Sequence, residues 1–262
     1  MALELADTHC HLPDSDFDAD REQVLARAGE AGVTRILVVG TSPAAWPRYL
    51  ALAQGHNEIR VALGVHPNSA KGFSLAALAE LRRLLGEHRG RIAAVGEIGL
   101  DFFRNHATPD EQRPALQAQL DLAAELDLPV VLHCRNAEGE MLSVLRGHRE
   151  RLGRPLKGVW HSFSATAAEA RAAAELGLHL AFNGILTYPK AEGVRSAARA
   201  VPPARLLVET DAPYLPPQPW RGKRNEPAYL VETARRLAQE RGVALEELAR
   251  VTTGNARRLL AW

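Results

Sequence analysis

Eight strand-length apolar runs recur along this chain, separated by stretches of helical character. They are Leu3–Ala6, Arg35–Val39, Arg60–Val65, Ile92–Val95, Val130–His133, Gly158–His161, Leu178–Phe182 and Leu206–Val208. Each is almost continuously apolar, the pattern of a parallel strand covered on both faces. Helical segments fall between them. Asp20–Ala31 has an acidic start and stops at Gly32, and Ser74 heads Leu75–His88, where Leu78, Leu81, Leu84 and Leu85 form one stripe. Thr108-Pro109-Asp110-Glu111 opens Gln112–Leu126 with an N-cap threonine and a first-turn proline. Ala137–His148, Thr166–Leu176, Ala191–Val201, Glu226–Arg241 and Leu245–Trp262 complete the set. Strict β-then-α alternation with eight strands predicts an α/β fold, a (β/α)8 TIM barrel; a doubly wound open sheet is the alternative.

No linker, low-complexity tract or composition break interrupts the 262 residues, so a single domain over 1–262 is expected. The proline-rich stretch Ala212–Trp220 reads as a loop. Neither a G-x-x-x-x-G-K-[ST] phosphate loop nor a G-x-G-x-x-G after the first strand is present, which argues against nucleotide binding of those kinds.

Residue types that bind divalent metals stand where the apolar runs end. His9 and His11 follow the first run, Glu97 the fourth, His133 the fifth, His161 the sixth and Asp211 the eighth. Barrel chemistry occurs at the C-terminal strand ends, so these residues are expected to meet there. His9 and His11 are two apart, and on an extended strand both imidazoles point the same way. Cys10 then points to the opposite side, as a packed residue rather than a ligand. Glu97 carries a carboxylate able to bridge two ions. Asp211 can ligate a metal and accept a proton from water. Taken singly, each residue also has an ordinary reading, as a core histidine, a salt-bridged glutamate or a turn aspartate beside Pro213. Six such residues at the ends of five strands point to a metal-dependent hydrolase.

Other residues suit an anionic substrate. His66 ends the third run, Arg135 follows His133 by two residues, and Arg221-Gly222-Lys223-Arg224-Asn225-Glu226-Pro227 is a compact basic loop. An ordinary solvated surface, with Asn225 capping the helix that starts near Glu226, is the alternative for that loop. Phe102, Phe103, Tyr214 and Trp220 are candidates either to stack on unpaired bases or simply to pack their loops.

The formal net charge is only +1, so a broadly basic surface that grips nucleic acid non-specifically is excluded, and any such binding must be local. Two cysteines, Cys10 and Cys134, argue against a disulfide framework and suggest a reducing compartment. The start shows no secretory pattern, and no apolar stretch nears the ~20 residues of a membrane span. A cytoplasmic monomer without membrane association is expected.

The motifs together resemble the TatD family of metal-dependent deoxyribonucleases. The resemblance is carried by Asp7-Thr8-His9-Cys10-His11-Leu12, Gly64-Val65-His66-Pro67, Gly96-Glu97-Ile98-Gly99-Leu100-Asp101, Leu132-His133-Cys134-Arg135, His161-Ser162-Phe163-Ser164, Glu209-Thr210-Asp211-Ala212-Pro213-Tyr214-Leu215 and Gly222-Lys223-Arg224-Asn225-Glu226-Pro227. One departure is Ala165, where the family often has glycine. The resemblance implies a TIM barrel with two divalent metal ions: Mg²⁺ or Mn²⁺, with Zn²⁺ as a further option. It implies that His9, His11, Glu97 and Asp211 hold one ion, that Glu97, His133 and His161 hold the other, and that His66 sits near the substrate phosphate. Catalytic roles fall to Asp211, Glu97 and His66, and substrate contacts to His66, Arg135, Arg221, Lys223 and Arg224. The implied activity is a 3′-5′ exodeoxyribonuclease on single-stranded DNA ends using a metal-activated water. The alternative is a D-aminoacyl-tRNA deacylase, or another ester or amide hydrolase, on the same centre.

Overall fold

A computed structural model describes residues 3–104 and 106–262. Its eight strands are β1 (Leu5–Cys10), β2 (Val33–Gly40), β3 (Ile59–Leu63), β4 (Ile92–Asp101), β5 (Val130–Arg135), β6 (Gly158–Trp160), β7 (His179–Phe182) and β8 (Leu206–Val208). They form one sheet in the order β1 to β8. This sequential parallel order is that of the (β/α)8 class; a doubly wound sheet would reverse its order partway. The helices are α1 (Arg21–Glu30), α2 (Trp46–Gly55), α3 (Leu75–Glu87), α4 (Pro109–Glu125), α5 (Glu138–Leu152), α6 (Ala167–Leu176), α7 (Glu192–Ala200), α8 (Leu230–Arg241) and α9 (Leu245–Leu260).

The chain clusters into two compact units. The first runs to Val38 and resumes over His161–Ala174 and His179–Trp262; the second is Val39–Trp160 with Glu175–Leu178. In the first unit β1 pairs in parallel with β2 (Leu5 beside Val33, Cys10 beside Val38), and β7 with β8. The segment after β8 turns back along β1: Asp211 N donates to His9 O at 2.9 Å and His11 N to Ala212 O at 2.7 Å. The pairing carries β1 out to Cys10, beyond the expected end at Ala6, so His9 lies inside a strand. Helix α9 packs on β1 and β8, where the buried Asn255 amide donates to the carbonyls of Pro203 and Leu206.

In the second unit β3 pairs with β4, β4 with β5 and β5 with β6. Strand β4 is ten residues long rather than the expected four, because its ladder with β5 continues to Asp101 beside Arg135. Glu97 therefore sits mid-strand. Two glycines permit this close approach. A Cβ on Gly99 (φ +153°) would lie 1.9 Å from His133 O, and one on Gly96 (φ +156°) 2.6 Å from Val131 Cβ. Two buried α4 glutamines serve as backbone substitutes. Gln119 takes Val65 N (2.7 Å) and gives to Val65 O (3.2 Å), while Gln112 takes Asp101 N (2.8 Å) and gives to Asp101 O (2.9 Å). Gln119 thus fixes the chain next to His66, and Gln112 fixes the last residue of the strand that carries Glu97.

Local signals decided several helix ends. Thr108 is the expected N-cap and closes a capping box, its Oγ1 accepting from Glu111 N while Glu111 accepts from Thr108 N. Ser74 Oγ accepts from Ala77 N at 3.2 Å. Helix α2 lies where no helix was expected. It has proline in its first turn, and Trp46, Tyr49, Leu50 and Ala53 form its buried face. The expected helix from Glu226 begins instead with a short 3-10 turn, Pro227–Tyr229, before α8.

Gly99→Ala should therefore cost several kcal/mol, since the strand must open or the β4–β5 ladder break. Gly139→Ala, in open space on α5, should change stability by less than about 1 kcal/mol. Urea unfolding midpoints of the two variants test this contrast.

Candidate metal centre

In the first unit, β1 and the turn after β8 bring together three ligand atoms. His9 Nε2 and His11 Nε2 are 3.2 Å apart, and each lies close to Asp211 Oδ1, at 3.7 and 3.6 Å. All three residues are buried. Two imidazole nitrogens facing one another need either a shared proton or a cation between them. Ligand atoms on a four-coordinate ion with bonds of about 2.1 Å stand about 3.4 Å apart. The observed triangle fits that spacing, so the residues present suit a divalent ion. Burial pushes the Asp211 carboxyl up, but its hydrogen bond to His11 and the neighbouring His161 and His9 outweigh this and hold it below its ordinary value. An ionised carboxylate is the form a metal requires.

His161 stacks on His9, ring centroids 3.9 Å apart and 18° from parallel. Its Nδ1 faces Glu209 Oε1 at 3.3 Å, and Ser162 N donates to the same oxygen at 2.6 Å. With Nδ1–H donating to Glu209, the His161 Nε2 lone pair is left for a metal, the usual carboxylate–histidine arrangement. Glu209 Oε2 is buried without a hydrogen-bond partner, and Glu209, His161 and His9 form a second trio of closely spaced ligand atoms. Sequence reasoning quoted Glu209 within its motif but gave it no role. Its position two residues before Asp211 was the available signal.

Asp7 is the buried acid of β1. Its carboxylate accepts Thr210 Oγ1 at 2.5 Å, Thr210 N at 2.9 Å and His9 N at 3.3 Å. Burial pushes its pKa up to about 7, against those hydrogen bonds, which pull it down. Asp7 thereby laces β1 to the strand-eight turn immediately behind His9 and Asp211. Cys10 is fully buried, as expected of a packed residue, and burial raises its thiol pKa.

In the second unit Glu97, His66 and His133 converge. Glu97 Oε1 lies 2.8 Å from His133 Nδ1 and 3.4 Å from His66 Nε2. His133 Nε2 faces Asp101 Oδ2 at 3.2 Å, so its ring is held between two carboxylates. Asp101 was a motif residue without an assigned role; it also accepts Phe103 N and Arg104 N, both at 2.9 Å. The tautomer of His66 is fixed by its neighbour. Asn68 N donates to His66 Nδ1 at 3.0 Å, which places the proton of a neutral ring on Nε2. His66 therefore presents an N–H rather than a lone pair, which suits a contact to phosphate better than ligation.

The basic residues have different fates. Arg224 is committed to structure: it grips both Asp20 oxygens at 2.8 Å and Asp16 O at 2.6 Å. Arg27 holds Glu226 in the same bidentate way. Asn225 is not a helix cap; its amide donates to Thr210 O (2.9 Å) and Tyr214 O (2.6 Å), pinning the loop base beneath Asp211. Arg221 lies over the Tyr188 ring at 4.1 Å and Lys223 over Trp220 at 5.2 Å. Arg135 lies 3.8 Å over the half-exposed Phe103 ring. Tyr214, also half-exposed, meets His11 edge-on at 5.9 Å. No helix among the described residues is long and apolar enough to cross a membrane.

Sequential parallel β/α units with histidine–carboxylate groups along their strand ends define the class: a metal-dependent hydrolase on a (β/α)8 barrel. The comparisons narrow it. The family model of the TatD related DNases matches residues 6–261. The 3′-5′ ssDNA/RNA exonuclease TatD of Cronobacter sakazakii is 39% identical over 258 residues, covering 97% of this chain and 96% of that protein. YcfH of Escherichia coli K12, named an uncharacterized metal-dependent hydrolase, is 38% identical over 259 residues, covering 97% and 95%. The crystal structure of YjjV, a TatD homologue from Escherichia coli K12, matches with a TM-score of 0.93 at 35% identity, covering 100% of both chains. The chain belongs to the TatD related DNase family of metal-dependent hydrolases.

Two expectations follow. Glu209→Gln keeps the size of the side chain but weakens its grip on His161, and should lower divalent-metal affinity about 10- to 100-fold, read by calorimetric titration. The Arg224 hydrogen bonds hold the Asp20 carboxyl down to about 2, so the stability it contributes is complete above pH ~4 and is lost as pH falls toward 2. The Tm difference between wild type and Asp20→Asn should be present at pH 7 and shrink steadily below pH 4.

Proposed function

We propose that this chain is a metal-dependent phosphodiesterase that removes nucleotides from the 3′ ends of single-stranded DNA. The observation that carries the reading is the pair of histidine–carboxylate groups, the buried His9–His11–Asp211 in one unit and the partly buried Glu97–His133 in the other, each with ligand-type atoms at contact spacing. The whole chain is taken as one catalytic domain, supported by a family match over nearly its full length. The name of the Cronobacter relative supports the polarity and the single-stranded substrate.

In this reading His9, His11, Glu97 and Asp211 would hold one divalent ion, and Glu97, His133 and His161 would hold the other. Mg²⁺ or Mn²⁺ is preferred for phosphate chemistry, with Zn²⁺ as the histidine-suited option. Bound ions of this kind acidify water and offset the charge that develops on a phosphate. Asp211 takes up the proton of the attacking water. His66, its tautomer set by Asn68, donates its Nε2–H to a phosphate oxygen. Arg135, ordered against Phe103, adds a second cationic contact. Glu209 and Asp101 keep His161 and His133 in one orientation, which removes reorganisation from the reacting state.

A labelled single-stranded oligonucleotide incubated with the protein and Mg²⁺ or Mn²⁺ should shorten from its 3′ end, and a chelator should abolish this. Cleavage that survives the chelator sinks the metal mechanism. Glu97→Ala should lose at least about 100-fold in turnover while its circular dichroism and Tm remain those of a folded protein. Wild-type turnover in that variant means the shared-ligand role is wrong.

A further inference from the structure

Asp211 presents its carboxylate to His9 and His11 from a backbone conformation that few residue types adopt. Its φ is +60°, in the left-handed region, which costs energy for any residue with a side chain and less for aspartate than for most. The direction of its Cα–Cβ bond follows from that conformation. The aim of the carboxylate at the two imidazoles therefore holds only while the turn around it imposes the conformation. Peptide groups are rigid planes, so fixing the two planes that flank a residue fixes its φ and ψ. Both planes flanking Asp211 are held. Asp211 N donates to His9 O and the Asn225 amide to Thr210 O on one side; Tyr214 N donates to Asp211 O and Ala212 N to Thr210 Oγ1 on the other.

Thr210 is the side chain that reaches across Asp211. Its hydroxyl donates to Asp7 Oδ2 at 2.5 Å and accepts from Ala212 N at 3.2 Å, so it touches the chain beyond the residue it precedes. Its own N donates to Asp7 Oδ1 at 2.9 Å, and the same oxygen accepts from His9 N at 3.3 Å. One buried carboxylate thus holds the backbone of a histidine on β1 and the backbone next to Asp211. Both Asp7 oxygens are engaged by these donors, and Asp7 is not among the closely spaced ligand-type atoms of the centre. Its part is to hold, not to ligate. Both residues are buried, where a lost hydrogen bond is not replaced by one to water.

We infer that Asp7 and Thr210 are positioning residues for the metal centre: acting through Asp211 and His9, they set the carboxylate–imidazole triangle before an ion arrives. This role rests on His9, His11 and Asp211 being metal ligands, and it says nothing of the substrate. A ligand set already in place binds without the entropy cost of arranging it. The two partners stand 203 positions apart in the chain, so neither reads as half of a pair in the sequence.

Calorimetric titration of the metal-free protein with Mn²⁺ tests the role without any turnover. Thr210→Val keeps the shape of the side chain and removes both hydroxyl bonds; it should weaken Mn²⁺ binding about 10- to 100-fold. Thr210→Ser restores the hydroxyl and should bind as wild type does. Asp7→Asn keeps an acceptor for the two backbone N–H groups but meets the Thr210 hydroxyl with a donor, and should also weaken binding. Thr253→Val is the control for lost stability, since it removes a buried hydroxyl bond to Glu4 O at the other end of β1. It should lower Tm and leave Mn²⁺ affinity unchanged. Wild-type affinity in both Thr210→Val and Asp7→Asn overturns the positioning role and leaves the ligand reading standing. Equal losses in Thr210→Val and Thr210→Ser, or a comparable loss in Thr253→Val, also overturn it, because shape or global stability is then the cause. If Thr210→Val does not fold, Asp7→Asn against wild type decides. A wild type that binds neither Mn²⁺ nor Mg²⁺ nor Zn²⁺ refutes the ligand reading, and this role with it.

Discussion

Parallel pairing of successive strands is the constraint on which the rest depends. A parallel ladder sets neighbouring strands in one direction, so within each unit every strand delivers its last residues to the same end of the sheet. That is how His9 and Asp211, some two hundred positions apart, come to share a backbone hydrogen bond as well as a ligand triangle. The ladder has its own demands. Strand β4 reaches β5 closely enough to carry Glu97 against His133 only because positions 96 and 99 have no side chain.

Behind the candidate ligands stands a layer of buried and partly buried polar groups with defined partners. Asp7 and Thr210 lace β1 to the turn after β8, Glu209 and Ser162 fix His161, and Asp101 with Asn68 frames His133 and His66. Burying so many polar groups is costly unless each is satisfied, and most of these are. The Glu209 oxygen that is not lies beside the clustered histidines, where a cation would satisfy it. Imidazoles oriented in this way can bind an ion without first choosing a tautomer or a rotamer.

The basic loop shows why a run of like charges is not one functional unit. Arg224 points back toward α1 and is neutralised by Asp20, with Arg27 and Glu226 forming a second pair alongside. Arg221 and Lys223 flank a glycine with positive φ and lie over aromatic rings, with no ion pair among the described residues. The first residue anchors the loop so that the other two are presented in a fixed place.

Much of this was legible in the sequence. The alternation of apolar runs with amphipathic stretches is a local property of the chain, so the (β/α)8 class and the eight strands could be read from it. The chemistry of His9, His11, Glu97, His133, His161 and Asp211 is local as well, and so is the Thr108 cap. The extents of β1 and β4 were not legible, because a strand ends where its partner does, and the partners Ala212 and Arg135 are set by the fold. The helix at Trp46–Gly55 was hidden by the short, aromatic-rich segment that forms it. Tertiary structure alone decided which nitrogen of each histidine faces a carboxylate, that Glu209 and Asp101 stand behind the ligands, and that Arg224 is tied to a carboxylate while Arg221 lies over a ring. Each of those outcomes depends on a hydrogen-bond or ring partner that the fold, and not the neighbouring sequence, brings into reach.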